Sequence, residues 1–139
     1  MRKLLLLTII VSFSLLQSCY LIKVNDHCPE EEINRLEIAS RRLGTAIQGV
    51  LWSGAPPDEN LIATACGIDP LLCNAFGNNT LFAKVIDGNA VILVCTPDGK
   101  RALVEDIACT PIPDYKAWID KKAPCEFTIP DQTVHDVCR

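Results

Sequence analysis

Two periodicities run through the chain. Residues 29–52 place apolar side chains at helical spacing, and residues 81–105 alternate with a period of two. In the second stretch, Asp87-Gly88 separates two apolar runs. It is a dipeptide favoured in two-residue hairpin turns, where both positions need positive φ. Thr96-Pro97-Asp98-Gly99-Lys100 marks a further turn, with proline setting φ for a type I turn and glycine taking the left-handed position after it. Leu81 to Cys109 therefore reads as a three-stranded antiparallel meander. The expected register sets Val85 opposite Ala90, Ala83 opposite Ile92 and Leu81 opposite Val94. Across the second turn, Val94 meets Ala102 and Ile92 meets Val104. One face then carries Leu81, Ala83, Val85, Ala90, Ile92, Val94, Ala102 and Val104, all apolar. The other carries Phe82, Lys84, Val91, Leu93, Cys95, Arg101, Leu103 and Glu105, a mixture that predicts partial cover.

In the helical stretch, Ile33, Leu36, Leu43, Ile47, Val50 and Leu51 fall on one side, while Glu37, Arg41, Arg42 and Gln48 lie mostly on the other. Pro29 suits a first helical position, and Glu30, Glu31 and Glu32 suit the first turn, where the helix dipole favours negative charge. Ser53-Gly54-Ala55-Pro56-Pro57 ends the helix after Trp52. This amphipathic helix is the expected cover for the apolar sheet face. Gly44 and Gly49 mark either a close crossing or weak points costing about 1 kcal/mol each. A short helix is predicted over 58–66, stopped by Gly67. Another is predicted over 70–76, capped by Asp69. Beyond the meander, Thr110-Pro111-Ile112-Pro113 cannot continue a central strand. Asp114 is placed to cap a helical turn holding Tyr115, Trp118 and Ile119. Cys125–Ile129 alternates like a fourth, edge strand. The expected fold is α+β: a long N-terminal amphipathic helix and short helices on a three- or four-stranded antiparallel meander, stapled by disulfides.

The first residues change the picture of where the protein works. Arg2 and Lys3 precede an apolar run, Leu4 to Leu16, and Gln17-Ser18-Cys19 follows. That is the layout of a signal peptide and predicts export. Leu16-Gln17-Ser18-Cys19 resembles the lipobox of bacterial lipoproteins, which implies lipidation of Cys19 and anchorage in the envelope. Two other outcomes fit the same residues. Ordinary cleavage gives a soluble periplasmic or secreted protein. An uncleaved Leu4–Ile22 helix, ~28 Å long, spans a bilayer. The expected division is a signal peptide at 1–18, a tether at 19–28 and one domain at 29–139.

The other seven cysteines, Cys28, Cys66, Cys73, Cys95, Cys109, Cys125 and Cys138, read as a disulfide framework in an exported chain. Eight cysteines form four bridges; with Cys19 lipidated, one of the remaining seven is left over. Cys66 and Cys73 flank one corner and suit a bridge. Cys95 and Cys109 lie too far apart along a straight strand unless the chain folds back after Ile107, so the favoured partner of Cys95 comes from the C-terminal segment, such as Cys125.

Charge and motifs narrow the functional classes. Loss of Arg2 and Lys3 lowers the basic residues from 13 to 11 against 17 acidic ones, a net charge near −6. No basic cluster exceeds two adjacent residues, so nucleic acid is not an expected partner. No CxxC pair and no glycine-rich phosphate loop occurs, and no metal or cofactor is expected. The two histidines, His27 and His135, lie in terminal segments, poor ground for preorganised catalysis. Asn78-Asn79-Thr80 matches a glycosylation acceptor, which has meaning only in a eukaryotic secreted chain. The leading reading is a non-catalytic cell-envelope binding or structural protein, with Phe82, Leu93 and Leu103 as its contact surface. The alternative is a secreted enzyme inhibitor or immunity-type protein that uses a loop at Thr96–Lys100 or Thr110–Pro113. A thiol-redox or metal-binding protein is the third.

Overall fold

The computed structural model describes residues 29–57, 60–109 and 116–138. Helix α1 spans Pro29–Trp52, with Glu30, Glu31 and Glu32 in its first turn, at the bounds its sequence signals set. Helix α2 spans Leu61–Ile68 and α3 spans Pro70–Asn74. Asn60 caps α2, its side chain accepting from the Ala63 amide at 3.2 Å, and the helix runs through Gly67 rather than stopping there. Asp69 ends α2 and caps α3, accepting from the Leu71 amide at 3.0 Å. A single residue thus sets the corner between the two.

Strands β1 (Thr80–Ile86), β2 (Asn89–Cys95), β3 (Ala102–Ile107) and β4 (Lys116–Ala117) form an antiparallel sheet in that order. The β1–β2 register is the expected one. Asp87 and Gly88 both have positive φ, as a two-residue hairpin turn requires. Gly99 takes positive φ in the second turn. The register beyond that turn differs from expectation. Cys95 pairs with Ala102, Val94 pairs with Val104, and a bulge lies between them. A bulge puts two residues against one and shifts side chains between faces. Ala102 therefore joins Leu93 and Cys95 on the second face, and Leu103 joins the helix-covered core.

That core fills the space between α1 and the sheet. Leu36, Leu43, Ile47, Ile92, Val94 and Val104 are all fully buried. Gly44 is a close crossing: a Cβ there would meet the Ala108 Cβ at 2.9 Å, whereas Gly49 has nothing within 4 Å. Gln48, read from the sequence as solvent-facing, is buried at the end of the hairpin. Its Nε2 donates to the Gly88 carbonyl at 2.8 Å and its Oε1 accepts from the Ala90 amide at 3.2 Å.

The second face is covered too, by chain that follows β3. Trp118, Ala123, Cys125 and Phe127 pack on Leu93, Cys95 and Ala102. Ile129 and Val134 pack on Val91 and Ile107. Cys125–Ile129 is not the fourth strand. It crosses this face, and β4 pairs Ala117 with Val104 and Lys116 with Glu105. Trp118 and Ile119 follow β4 directly and are not helical; Asp114 and Tyr115 lie outside the described residues. The C-terminal residues form a helix the sequence reading missed, α4 (Asp131–Val137).

Glu105 anchors this layer. It is fully buried, and its carboxyl accepts from the amides of Thr128 and Ile129 at 2.9 and 3.0 Å and from the Thr128 hydroxyl at 2.7 Å. Lys84 pairs with Asp131 at 3.3 Å and lies 4.9 Å from the Phe127 ring centre. Disulfides Cys95–Cys125 and Cys109–Cys138 tie the layer at both ends, and Cys66–Cys73 joins α2 to α3. Closing loops of 30 and 29 residues contributes roughly 3–4 kcal/mol each in the chain-entropy account.

Two pairs of substitutions test this architecture by denaturant unfolding. Gly44→Ala is expected to destabilise by about 1–2 kcal/mol, because overpacking against Ala108 exceeds the gain in helix propensity. Gly49→Ala, in open space, is expected to stabilise by up to ~1 kcal/mol. Glu105→Ala leaves buried donors without an acceptor and is expected to cost about 3 kcal/mol or more. Glu105→Gln, which turns an amide N–H₂ toward those donors, is expected to lie closer to the alanine variant than to wild type.

Candidate contact site

The structure separates the residues of the expected contact surface. Phe82 is 42% exposed, but Leu93 and Leu103 are each 1% exposed. Leu93 lies beneath the C-terminal layer, and the bulge turns Leu103 toward α1. These three residues do not form a surface.

Three of the exposed large apolar residues, Ile38, Ile68 and Leu71, lie instead at the corner of α1, α2 and α3. A groove of about 510 Å³ lies between α1 and α3. Ile38, Ala39, Leu71, Leu72 and Ala75 form its apolar lining, with Glu31, Arg35, Arg42 and Asp69 supplying charge of both signs. Ile38 is 52% exposed and Leu71 is 73% exposed. Ile68, on the same corner, is as exposed as Leu71. The walls are fixed on both sides. Arg35 Nη1 donates to the Ala75 carbonyl at 2.8 Å, tying α1 to the end of α3. Cys66–Cys73 closes the α2–α3 corner, and the Asp69 cap sets the direction of Leu71. Such a groove offers apolar contact with a polar rim, the anatomy of a protein contact surface. The sequence held a sign of it. Ile38 falls outside the buried stripe of α1, and Leu71-Leu72 follows a helix start on a segment with little core to fill.

The Thr96–Lys100 loop is the other ordered feature at the surface. The Thr96 hydroxyl donates to Asp98 Oδ1 at 2.5 Å and accepts from the Arg101 amide at 3.1 Å. Asp98 Oδ1 also accepts from the Lys100 amide at 3.1 Å. The loop's carbonyls are largely engaged. That of Thr96 accepts from Gly99, that of Pro97 from the Thr80 hydroxyl, and that of Lys100 from Cys125. A loop with its carbonyls turned into its own framework presents side chains, not an extended backbone. The Thr110–Pro113 loop lies outside the described residues.

Six of the candidate cysteines, Cys66, Cys73, Cys95, Cys109, Cys125 and Cys138, are bridged; Cys66–Cys73 forms as expected, and Cys95 takes its partner, Cys125, from the C-terminal segment. Cys19 and Cys28, with His27, lie outside the described residues. Cys138 is committed to Cys109, and His135 Nδ1 lies 3.1 Å from Asp87 Oδ2. Among the described residues no three of His, Cys, Asp and Glu gather as metal ligands, and no helix is long and apolar enough to cross a membrane.

The loop's hydrogen bonds have a pH signature. The Thr96 hydroxyl, and after it the Lys100 amide, hold the Asp98 carboxyl below its ordinary value of 3.8. The stabilisation of the turn by the charged form is complete above the unfolded value and is lost as pH falls through the lowered one. A carboxyl titration followed by NMR is expected to place the Asp98 midpoint below 3.8, and Thr96→Val to move it upward.

Comparison of the chain with protein-family models, with curated proteins and with solved structures finds no match.

Proposed function

We propose that this chain is an exported, non-catalytic binding protein of the bacterial cell envelope, held at the membrane through Cys19, with the α1–α3 groove as its contact surface for a protein partner. The observation that carries the reading is the groove itself. Ile38 and Leu71 stand in solvent on a corner made rigid by a disulfide, a cap and the Arg35 hydrogen bond. Rigid walls lower the entropic cost of association. The export signal and the disulfides agree in compartment. The six bridged cysteines pair among themselves, so with lipid on Cys19 the cysteine left over is Cys28.

A secreted inhibitor is the second reading, favoured by the ordered Thr96–Lys100 loop. Its engaged carbonyls limit it to blocking a partner with the exposed side chains of Pro97 and Lys100, not by mimicking an extended substrate.

Two measurements on the protein extracted from membranes test the proposal. Alkylation without reduction, read by mass spectrometry, is expected to label Cys28 at most and to find lipid mass on Cys19. Labelling within the three bridges, or an unmodified Cys19 in a soluble fraction, contradicts it. A photo-crosslinker at Leu71 is expected to capture an envelope protein, and Leu71→Asp to reduce recovery of that partner by roughly tenfold or more. Capture of a soluble hydrolase through a crosslinker at Lys100 supports the inhibitor reading instead.

A further inference from the structure

Among the described residues, no strand pairs with the outer edge of β1. Unlike β2 and β3, β1 has no fully buried residue, and it is a terminal strand of the sheet. Ala90, opposite Val85, has its carbonyl bonded to the Ala108 amide at 2.9 Å and its own amide bonded to Gln48 at 3.2 Å. Neither group is directed at Val85, so Val85–Ala90 is a pair that exchanges no hydrogen bonds. Bonded and non-bonded pairs alternate along an antiparallel ladder. The same count makes Ile86–Asn89, which closes the hairpin turn, a bonded pair, as a two-residue turn requires. The amides and carbonyls of Leu81, Ala83 and Val85 therefore point out of the sheet. Among the described residues none of them meets a hydrogen-bond partner.

Proteins blunt such edges with proline, bulges or free charge. β1 contains no proline, its register is regular, and its one charge, Lys84, is turned to Asp131 and Phe127 of the same chain. Beside the edge lies a cleft of about 220 Å³, lined by Pro57, Leu61, Ile62 and Phe82 among others, which leaves room for side chains of an added strand.

We propose that β1 pairs antiparallel with β1 of a second copy, centred on Ala83, so that the two four-stranded sheets join into one. The strand is its own complement. About Ala83, Leu81 of one copy meets Val85 of the other, and Ala83 meets Ala83. All of the outward amides and carbonyls are then bonded, two hydrogen bonds to a pair. Between them, the exposed Phe82 lies opposite Lys84 of the copy, whose aliphatic stem covers the ring, a favourable cross-strand pair. This reciprocal match of positions favours a second copy over a foreign strand. The pairing does not depend on the envelope function proposed above.

The test follows purified, disulfide-bonded protein by light scattering and backbone-amide exchange over a wide concentration range. The mass is expected to double as concentration rises. The amides of Leu81, Ala83 and Val85 gain protection in step, and those of Phe82 and Lys84 do not change. Ala83→Pro removes the central donor at an edge position where proline is tolerated. Phe82→Lys, at an exposed site, sets like charges opposite each other. Each is expected to weaken association at least about tenfold while circular dichroism and the three bridges stay unchanged. A monomer up to millimolar concentration overturns the proposal. So does a dimer indifferent to Phe82→Lys, or protection of these amides only when a foreign extended peptide is added.

Discussion

The second face of the sheet is covered by chain with little regular structure of its own, and everything about that cover depends on how it is held. Between β4 and α4 the segment has few backbone partners within itself. The buried Glu105 carboxyl takes two of its amides and a hydroxyl at once. Cys95–Cys125 and Cys109–Cys138 fix the segment on either side of that anchor. Burial of Phe127, Ile129 and Val134 then becomes possible without a regular element to present them. A small domain gains much from such cross-links, because its apolar core is limited by its size.

The bulge between Ala102 and Val104 is the second determinant. It places the small Ala102 under the Cys95–Cys125 bridge and sends Leu103 into the core beneath α1. Both faces of β2 and β3 are consequently sealed, which leaves no apolar sheet face for contact. Exposed apolar residues lie off these faces: Ile38, Ile68 and Leu71 at the helical corner, Phe82 on the outermost strand, and Trp52, Ile119 and Val137 singly elsewhere.

The helical corner and the outermost strand carry the two proposed contacts, the partner groove and, independently of it, the β1 edge. The helical corner is rigid, apolar and rimmed by charge of both signs. The β1 edge offers outward backbone amides and carbonyls, with Phe82 and Lys84 as its reciprocal side-chain pair. The two lie on different elements, so one surface can serve the partner and the other a second copy. The sheet and its staples position both, and act as scaffold.

The sequence by itself determined what rests on local physics. The 3.6-residue pattern with Pro29 and three glutamates gave α1 its bounds, because helix starts are set by dipole and proline geometry within one turn. Asp87-Gly88 determined the β1–β2 register, because only positive φ at both positions matches the strand twist. The fold class followed from the same alternation, which also directed Cys95 to a partner in the C-terminal segment. Tertiary structure decided what depends on partners distant in the chain. Nothing near Ala102 signals a bulge; it is selected by packing on both sides of β3 at once. Gln48 reads as a surface residue until the hairpin end supplies a carbonyl and an amide that need it. Glu105 and Thr128 carry no mark of the clamp they form, since 23 residues separate them. The contact site escaped the sequence reading for the same reason. Whether an apolar side chain is core or surface is settled by what covers it, and the cover of Leu93 and Leu103 comes from elsewhere in the chain.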